Sequence, residues 1–550
     1  MNSKHYTKLS LLTLALCLSC FIQVSQAQIT KYWIRFTDKN GSPFSVSNPT
    51  AFLSPKSVQR RTNQGISVDM TDIPVNQTYI NQVNATGATV LQRSRWHNAA
   101  IVLIPNTTVL NAVNSLTCVL SSAPVGRVAK MSPDVLNTPT VSVQKLSSTN
   151  TTGYNYGPAY TQVNQIGADC LHNLGYRGQN MTIAIIDDGF NQADVNQVFD
   201  SLRNESRILG TYDFVAGNTS VYEDDSHGAM VLSCIAGNTP GQLIGTGPKA
   251  KVWLFRSEDA TSEKIIEECN WVIAAEYADS VGADICTTSL GYTTFDISSQ
   301  NHTYADLNGK TSVASIAATM AVRKGMFMLN AAGNEGGGSW NFVGVPADAD
   351  SICTVGSVNS GGLHSSFSSV GPTADGRIKP DVSTMGEGTY VCGPGFNFFS
   401  GNGTSFACPV AAGAVACLWQ AHPSKTNMQI LQAIKATASK SSNPDNQYGW
   451  GIPNFCAAHN YLQLNTGIDE QSVHSVRLFP NPANNKVQFT LNETVSSVTM
   501  TDVLGHTVAV NMQEQNNTYT LSFGEQIPAG VYFLTIRSDS KQYTTRFVKQ

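Results

Sequence analysis

The sequence predicts an α/β protein in three parts: a layered domain with a mostly parallel sheet, a small α+β module before it, and a small β-sandwich after it. Three observations carry this reading. Between residues 156 and 464, short apolar runs (Met181–Ile186, Val252–Phe255, Ile285–Thr287, Met326–Leu329, Ile352–Val355) alternate with helical patterns. Continuous apolar strands separated by helices indicate a parallel sheet covered on both faces. From residue 472 the texture becomes all-β, with short strands and turns at Asn481-Pro482, Leu504-Gly505 and Pro528-Ala529-Gly530. A length of 550 residues also exceeds one typical domain and suits about three.

In chain order, residues 1–27 form a targeting segment: Lys4 and Lys8 precede an apolar core from Leu11 to Val24, and Ser25-Gln26-Ala27 offers a small-residue cleavage site. Leu18-Ser19-Cys20 offers a lipoprotein-type alternative. Residues 28–150 form the α+β module. Its strands are expected at Tyr32–Phe36, Thr89–Gln92 and Ala100–Ile104, and its helices at Ser54–Arg61 and Val75–Val83. It reads as an accessory binding domain or as a segment that templates folding and blocks a site. The stretch from Leu136 to Tyr156, rich in Ser, Thr, Asn and Val, reads as an exposed linker open to cleavage. The α/β domain spans residues 156–464 and the β-sandwich residues 472–550. Strands of the sandwich are expected at Val487–Leu491, Val495–Thr501, Thr507–Val510, Thr518–Phe523, Val531–Ile536 and Tyr543–Val548.

Composition narrows the class. Charged residues make up 13% of the chain and the formal net charge is −4, which supports neither a nucleic-acid footprint nor a polybasic membrane patch. Two of the twelve cysteines leave with the targeting segment, and nine lie between Cys170 and Cys456, an odd number that cannot pair completely among themselves. Past the targeting segment no C-x-x-C occurs, so neither zinc nor a dense disulfide framework is indicated there.

Four stretches carry chemistry. Met181–Ile186 runs into Asp187-Asp188-Gly189, placing carboxylates where α/β sheets present residues to a ligand crevice. His227-Gly228-Ala229-Met230 opens a small-residue helix. Ala331-Ala332-Gly333-Asn334 follows the strand Met326–Leu329 and puts an amide at its end. Gly403-Thr404-Ser405-Phe406-Ala407-Cys408-Pro409 opens an apolar helix over Ala407–Trp419, with Pro409 expected in its first turn. A hydroxyl at that helix start would feel the positive end of the dipole. Singly, each stretch reads equally as a turn or a cap.

Together, in the order Asp, His, Asn, Ser, they resemble the subtilisin-like serine proteases over residues 156–464. Tyr156-Gly157-Pro158, Ser289-Leu290-Gly291 and Phe367 to Pro372 add to the match. Their chain order differs from the chymotrypsin and α/β-hydrolase orders. The resemblance implies a subtilisin-like three-layer fold and a secreted serine endopeptidase. Ser405 would be the nucleophile, His227 the base, Asp187 the orienting carboxylate, Asn334 an oxyanion donor, and Ser289, Leu290 and Gly291 the substrate-binding strand. Gly336 to Gly338 and Trp340 are expected to shape the primary specificity pocket. Two positions depart from the family pattern: Asp188 stands where Ser or Thr is usual, and Ala229-Met230 stands where Thr-His is usual. A second carboxylate beside Asp187 raises the pKa of one of the pair. The alternative reading is a catalytically inactive protease fold serving as an adhesin or scaffold.

The resemblance also recasts the flanks. Residues 28–150 become an inhibitory prosegment. Leu478-Phe479-Pro480-Asn481-Pro482, Val503-Leu504-Gly505 and Pro528 to Phe533 resemble the sorting domain of type IX secretion substrates, against a carbohydrate-binding sandwich as the alternative. The implied partners are a polypeptide substrate and outer-membrane secretion machinery, with no nucleic acid. The implied location is outside the cell or on the outer-membrane surface of a Bacteroidota bacterium. No cofactor is assigned; structural calcium is compatible with the family, without a ligand set here.

Overall fold

The computed structural model describes residues 30–127, 153–464, 476, 478–491, 493–502, 506–524, 526–538 and 542–550. The targeting segment, most of the expected linker and the Val503-Leu504-Gly505 turn lie outside the described residues. The chain divides into two compact units, Met1–Leu462 and Gln463–Gln550.

The first unit opens with an antiparallel sheet of β1 (Thr30–Phe36), β2 (Thr89–Ser94), β3 (Ala99–Ile104) and β4 (Val119–Arg127) in the order β2-β3-β1-β4. Helices α1 (Pro55–Asn63), α2 (Gln77–Ala85) and α3 (Thr107–Asn114) accompany it. Ile34, Ala100 and Val102 pack on Ile80, Val83 and Val113 of α2 and α3. Both α3 and β4 go beyond the elements expected from sequence. The α3 helix has eight residues and is set by its cap, Asn106, whose side chain accepts from the Val109 N–H at 3.0 Å. Strand β4 contains Pro124, which removes a ladder donor, and the strand tolerates it because it lies at the sheet edge.

Seven parallel strands follow: β5 (Thr182–Asp187), β6 (Ile208–Asp213), β7 (Lys251–Arg256), β8 (Ile285–Thr288), β9 (Phe327–Ala331), β10 (Cys353–Val358) and β11 (Val382–Met385). Their order is β6-β7-β5-β8-β9-β10-β11. The side chains alternate between two apolar layers. Ile183 and Ile185 of β5 join the cluster that contains α4 (His227–Ala236) and α7 (Thr404–Ala421). Ala184 and Ile186 join the cluster of α5 (Ile266–Val281) and α6 (Val313–Arg323). This is the three-layer architecture expected from the apolar runs. Strands β5, β8 and β9 end on the same edge as the starts of α4 and α7.

One detail of α7 corrects the sequence reading. The helix begins at Thr404, three residues earlier than expected, so Pro409 falls in its second turn and not its first. Proline there cannot donate to the carbonyl of Ser405. The Ser289 hydroxyl donates to that carbonyl instead, at 2.8 Å. The start of α7 is thereby tied to the strand end after β8. Among the described residues one disulfide, Cys170–Cys456, links the helix Ala168–Asn173 to the helix Phe455–Leu464. The eight other described cysteines are free and buried, as small apolar residues would be.

The α+β module docks on α5 and α6. Trp33, Trp96 and Ile101 enter the apolar layer of these helices. Asp279 of α5, fully buried, takes the guanidinium groups of Arg60, Arg61 (2.8 Å) and Arg95 (2.7 Å). Glu276, one turn earlier, accepts from the backbone N–H groups of Arg95 (2.7 Å) and Trp96 (3.1 Å) and from the Ser94 hydroxyl. Lys324 bonds back to Asp72 at 2.9 Å.

The second unit contains two antiparallel sheets. Lys486–Thr490, Thr518–Ser522 and Asn511–Gln515 form one; Thr507–Val508, Val495–Thr501, Gly530–Ser538 and Gln542–Lys549 form the other. Val487, Phe489, Tyr519 and Leu521 from the first meet Met500, Leu534, Ile536 and Phe547 from the second in one core. Asn511–Gln515 is a strand beyond those expected. All five of its residues are exposed, so no apolar alternation marks it.

Candidate active site

Asp187 is the last residue of β5 and is fully buried. Its Oδ1 accepts from the Asp188 backbone N–H at 3.0 Å and pairs with His227 Nδ1 at 2.7 Å. Of the two adjacent carboxylates, Asp187 is therefore the one that meets the imidazole. His227 is the first residue of α4, whose start is held by Asp225: that carboxylate accepts from the backbone N–H groups of Ser226 (2.6 Å) and His227 (3.1 Å). Gly228 follows because the chains nearly touch there. A Cβ at this position would lie 2.4 Å from the Gly189 carbonyl oxygen and 2.9 Å from Asp187 Cβ.

Ser405 lies in the first turn of α7, and its hydroxyl donates to the Ser289 carbonyl at 3.3 Å. Its neighbour Phe406 brings its ring to 5.8 Å from the His227 ring, which places the start of α7 beside the start of α4. Cys408 is fully buried against Thr287 and takes no part in this surface. Asn334 follows β9. Its Oδ1 accepts from the Thr404 backbone N–H at 2.9 Å and from the Thr404 hydroxyl at 3.0 Å. A backbone N–H can only donate, so the oxygen must face Thr404 and the amide N–H₂ must face the other way. Thr404 was legible as part of the motif, but its role in fixing the amide was not.

Asn334 and Ser405 line one cavity of about 150 Å³ together with Ser289, Leu290, Gly291 and Glu335. Its further wall is Thr293, Gly333 and Gly344, not the expected Gly336 to Gly338 and Trp340. Gly336 is instead pressed against the backbone of Phe367 and Ser368. The Leu290 carbonyl is taken by Asn330 Nδ2 at 2.9 Å. Among the described residues, Gly291 makes no backbone hydrogen bond, which leaves an open strand edge at the cavity.

The electrostatics centre on three groups. Burial pulls the His227 pKa down, but the carboxylate of Asp187 and the more distant Asp188 and Asp225 outweigh it and hold it at about 9. Burial and the adjacent Asp187 push Asp188 up to about 8. The Asp188 carbonyl is held by Arg256 Nε at 3.0 Å, while its buried Oδ1 has no partner among the described residues. Asp187, Asp188 and His227 form the one cluster among the described residues with the donor set for a cation, their ligand atoms lying within 4.8 Å of one another.

Comparison with known proteins gives the family of the chain. Residues 178–451 match the subtilase family, residues 31–139 a peptidase S8 propeptide domain of Bacteroidota, and residues 477–550 a secretion system C-terminal sorting domain. Subtilisin NAT of Bacillus subtilis subsp. natto is 34% identical over 300 residues, covering 54% of this chain and 70% of that protein. Subtilisin E of Bacillus subtilis (strain 168) matches to the same extent. A subtilisin of Bacillus pumilus is 33% identical over 300 residues, 97% of its length. The propeptide and sorting-domain matches make this a secreted or cell-surface protein of Bacteroidota. With its seven-stranded parallel sheet and more than two thirds of the subtilisin sequence aligned at this identity, the chain belongs to the subtilase family of serine endopeptidases.

Proposed function

We propose that the enzyme hydrolyses peptide bonds through an acyl-enzyme on Ser405, with His227 as base, Asp187 as its orienting partner and Asn334 as oxyanion donor. The observation that carries this is the convergence of the Asp187–His227 bond at 2.7 Å with Ser405 at an adjoining helix start, in a cavity faced by the Asn334 amide. A serine hydroxyl is a weak nucleophile until a base takes its proton. Ser405 Oγ, turning from the Ser289 carbonyl toward His227 Nε2, attacks the scissile carbonyl while the imidazole takes the proton. His227 then gives that proton to the leaving amine. Asp187 keeps Nδ1 protonated and stabilises the imidazolium without accepting the proton itself. The Asn334 N–H₂ and the Ser405 backbone N–H, at the positive end of α7, receive the charge that develops on the oxygen. Water repeats the sequence on the acyl-enzyme. The free edge at Gly291 suits an extended peptide adding as a strand.

The test is covalent capture. A fluorophosphonate probe should label the processed enzyme, and mass mapping should place the adduct on Ser405. A folded, processed enzyme that cleaves an unfolded protein and carries the adduct elsewhere would overturn the assignment.

The pH profile gives a second check. His227 must be neutral to act as base, so kcat/KM should rise with pH through the imidazole ionisation, at about 9. An ionised Asp188 stabilises the imidazolium. Asp188→Asn should therefore shift this limb to lower pH and give more activity near neutrality. A limb that stays in place or moves upward contradicts that coupling.

A further inference from the structure

A second cavity, of about 420 Å³, shares Leu290 and Gly291 with the one beside Ser405. Five carboxylates line it, from Asp188, Glu258, Asp259, Glu263 and Glu267, and no lysine, arginine or histidine does. One of the five presents an oxygen with no partner among the described residues. Glu258 is 8% exposed; its Oε1 accepts from the Tyr292 hydroxyl at 2.7 Å and from the Ser257 hydroxyl, while its Oε2 accepts nothing among the described residues. The Asp188 carboxyl lies at the edge of the cavity nearest Asp187, to which its side chain bonds.

Such a wall is costly as it stands. Burial, with Asp296 behind Glu263 and with Glu263 and Asp259 beside Glu267, pushes these two glutamates up to about 7, and burial with the adjacent Glu267 holds Glu258 well above its ordinary value. A cation entering the cavity reverses both effects, since it pairs the free oxygen and lets the carboxylates ionise. An aliphatic side chain would leave that oxygen unpaired. The stem of a lysine or arginine has Leu290 to lie along while its head reaches the carboxylates.

A peptide paired at Gly291 advances about 3.3 Å per residue and turns alternate side chains to opposite faces. A substrate whose scissile residue fills the cavity beside Ser405 therefore carries another side chain past this second cavity within about four residues. We propose that the acidic cavity is a specificity subsite that takes a lysine or arginine side chain of the substrate, so that the enzyme selects polypeptides with a basic residue close to the scissile bond. The proposal rests on the endopeptidase reading above and adds the class of substrate.

The experiment uses the processed enzyme and matched fluorogenic peptides that carry lysine, arginine, norleucine or glutamine at each of the four positions on either side of the cleaved bond. At one position, lysine and arginine should raise kcat/KM over norleucine and glutamine by roughly tenfold at low salt. The ratio should shrink as salt rises and as pH falls through about 7, where Glu263 and Glu267 protonate. In the Glu258→Gln/Asp259→Asn double variant the lysine-to-norleucine ratio should fall to about twofold or less. If the variant does not mature, the salt and pH dependence of the wild-type ratio decides the matter. Equal rates with all four side chains, or a preference for norleucine, would overturn the proposal while fluorophosphonate labelling still upheld the protease. Absence of labelling would strike the protease reading instead.

Discussion

Ser405→Ala is expected to leave a folded protein that does not turn over an unfolded protein substrate, with kcat lower by about 10⁶-fold, the loss a subtilisin shows without its nucleophile. The same substitution should block removal of the prosegment when the protein is produced without other proteases. The reason is geometric. Asp187 and His227 are anchored by β5 and by Asp225, and Asn334 by Thr404, so deleting one hydroxyl leaves the rest of the site in place. The binding cleft and any remaining oxyanion donors would then supply only residual catalysis. Thermal unfolding of the variant should match that of an unprocessed wild type, and N-terminal sequencing reads the processing state. Release of the prosegment from Ser405→Ala at the wild-type position would show that another enzyme performs the cut.

Asp279→Ala is expected to have the largest effect on the zymogen. Its carboxylate, with no exposure, gathers Arg60, Arg61 and Arg95 of the prosegment. Removing one partner of a buried ion pair typically costs about 3–5 kcal/mol, because the opposite charge stays buried and unpaired. Here three guanidinium groups share the loss, although Asp72 still holds Arg61 at 2.8 Å. Burial alone would raise the Asp279 pKa, but the three guanidinium groups outweigh it and hold it at about 2. A depressed carboxylate stabilises the folded form above its unfolded pKa and loses that contribution as pH falls through the folded value. The docking it supports should therefore persist through mildly acidic conditions. The measurement is calorimetry of the unprocessed form in a Ser405→Ala background. A decrease below about 1 kcal/mol would mean that Asp279 contributes no more than an exposed pair.

The parts legible from sequence were those whose chemistry sits where a local pattern changes. Asp187 stands where the apolar run of β5 stops, His227 and Ser405 at helix starts, and Asn334 just past β9; each sits at a legible boundary, and the four in order gave the chemistry that none gave alone. The Asp279 cluster gave no such signal. Its acid lies on an apolar helix, its bases lie between 184 and 219 residues upstream, and only the tertiary fold joins them. The acidic cavity failed for a different reason. Glu258, Asp259, Glu263 and Glu267 fall within ten residues, and a run of that kind usually lies on a solvated loop. It takes the packing of Tyr292 and Leu290 against that loop to turn it into a lined cavity. The helix α7 starts three residues before its apolar run because Thr404 and Ser405 already form its first turn, and Ser289 donates to the carbonyl that Pro409 leaves unpaired.

The Cys170–Cys456 bond has a topological consequence. It closes a covalent ring, spanning 286 positions, that contains Asp187, His227, Ser289, Asn334 and Ser405. A nick at one exposed turn of the ring, such as Ser298–Gln300, would leave a single connected molecule whose new ends stay at high effective concentration. Two nicks are needed before any fragment of the ring can diffuse away.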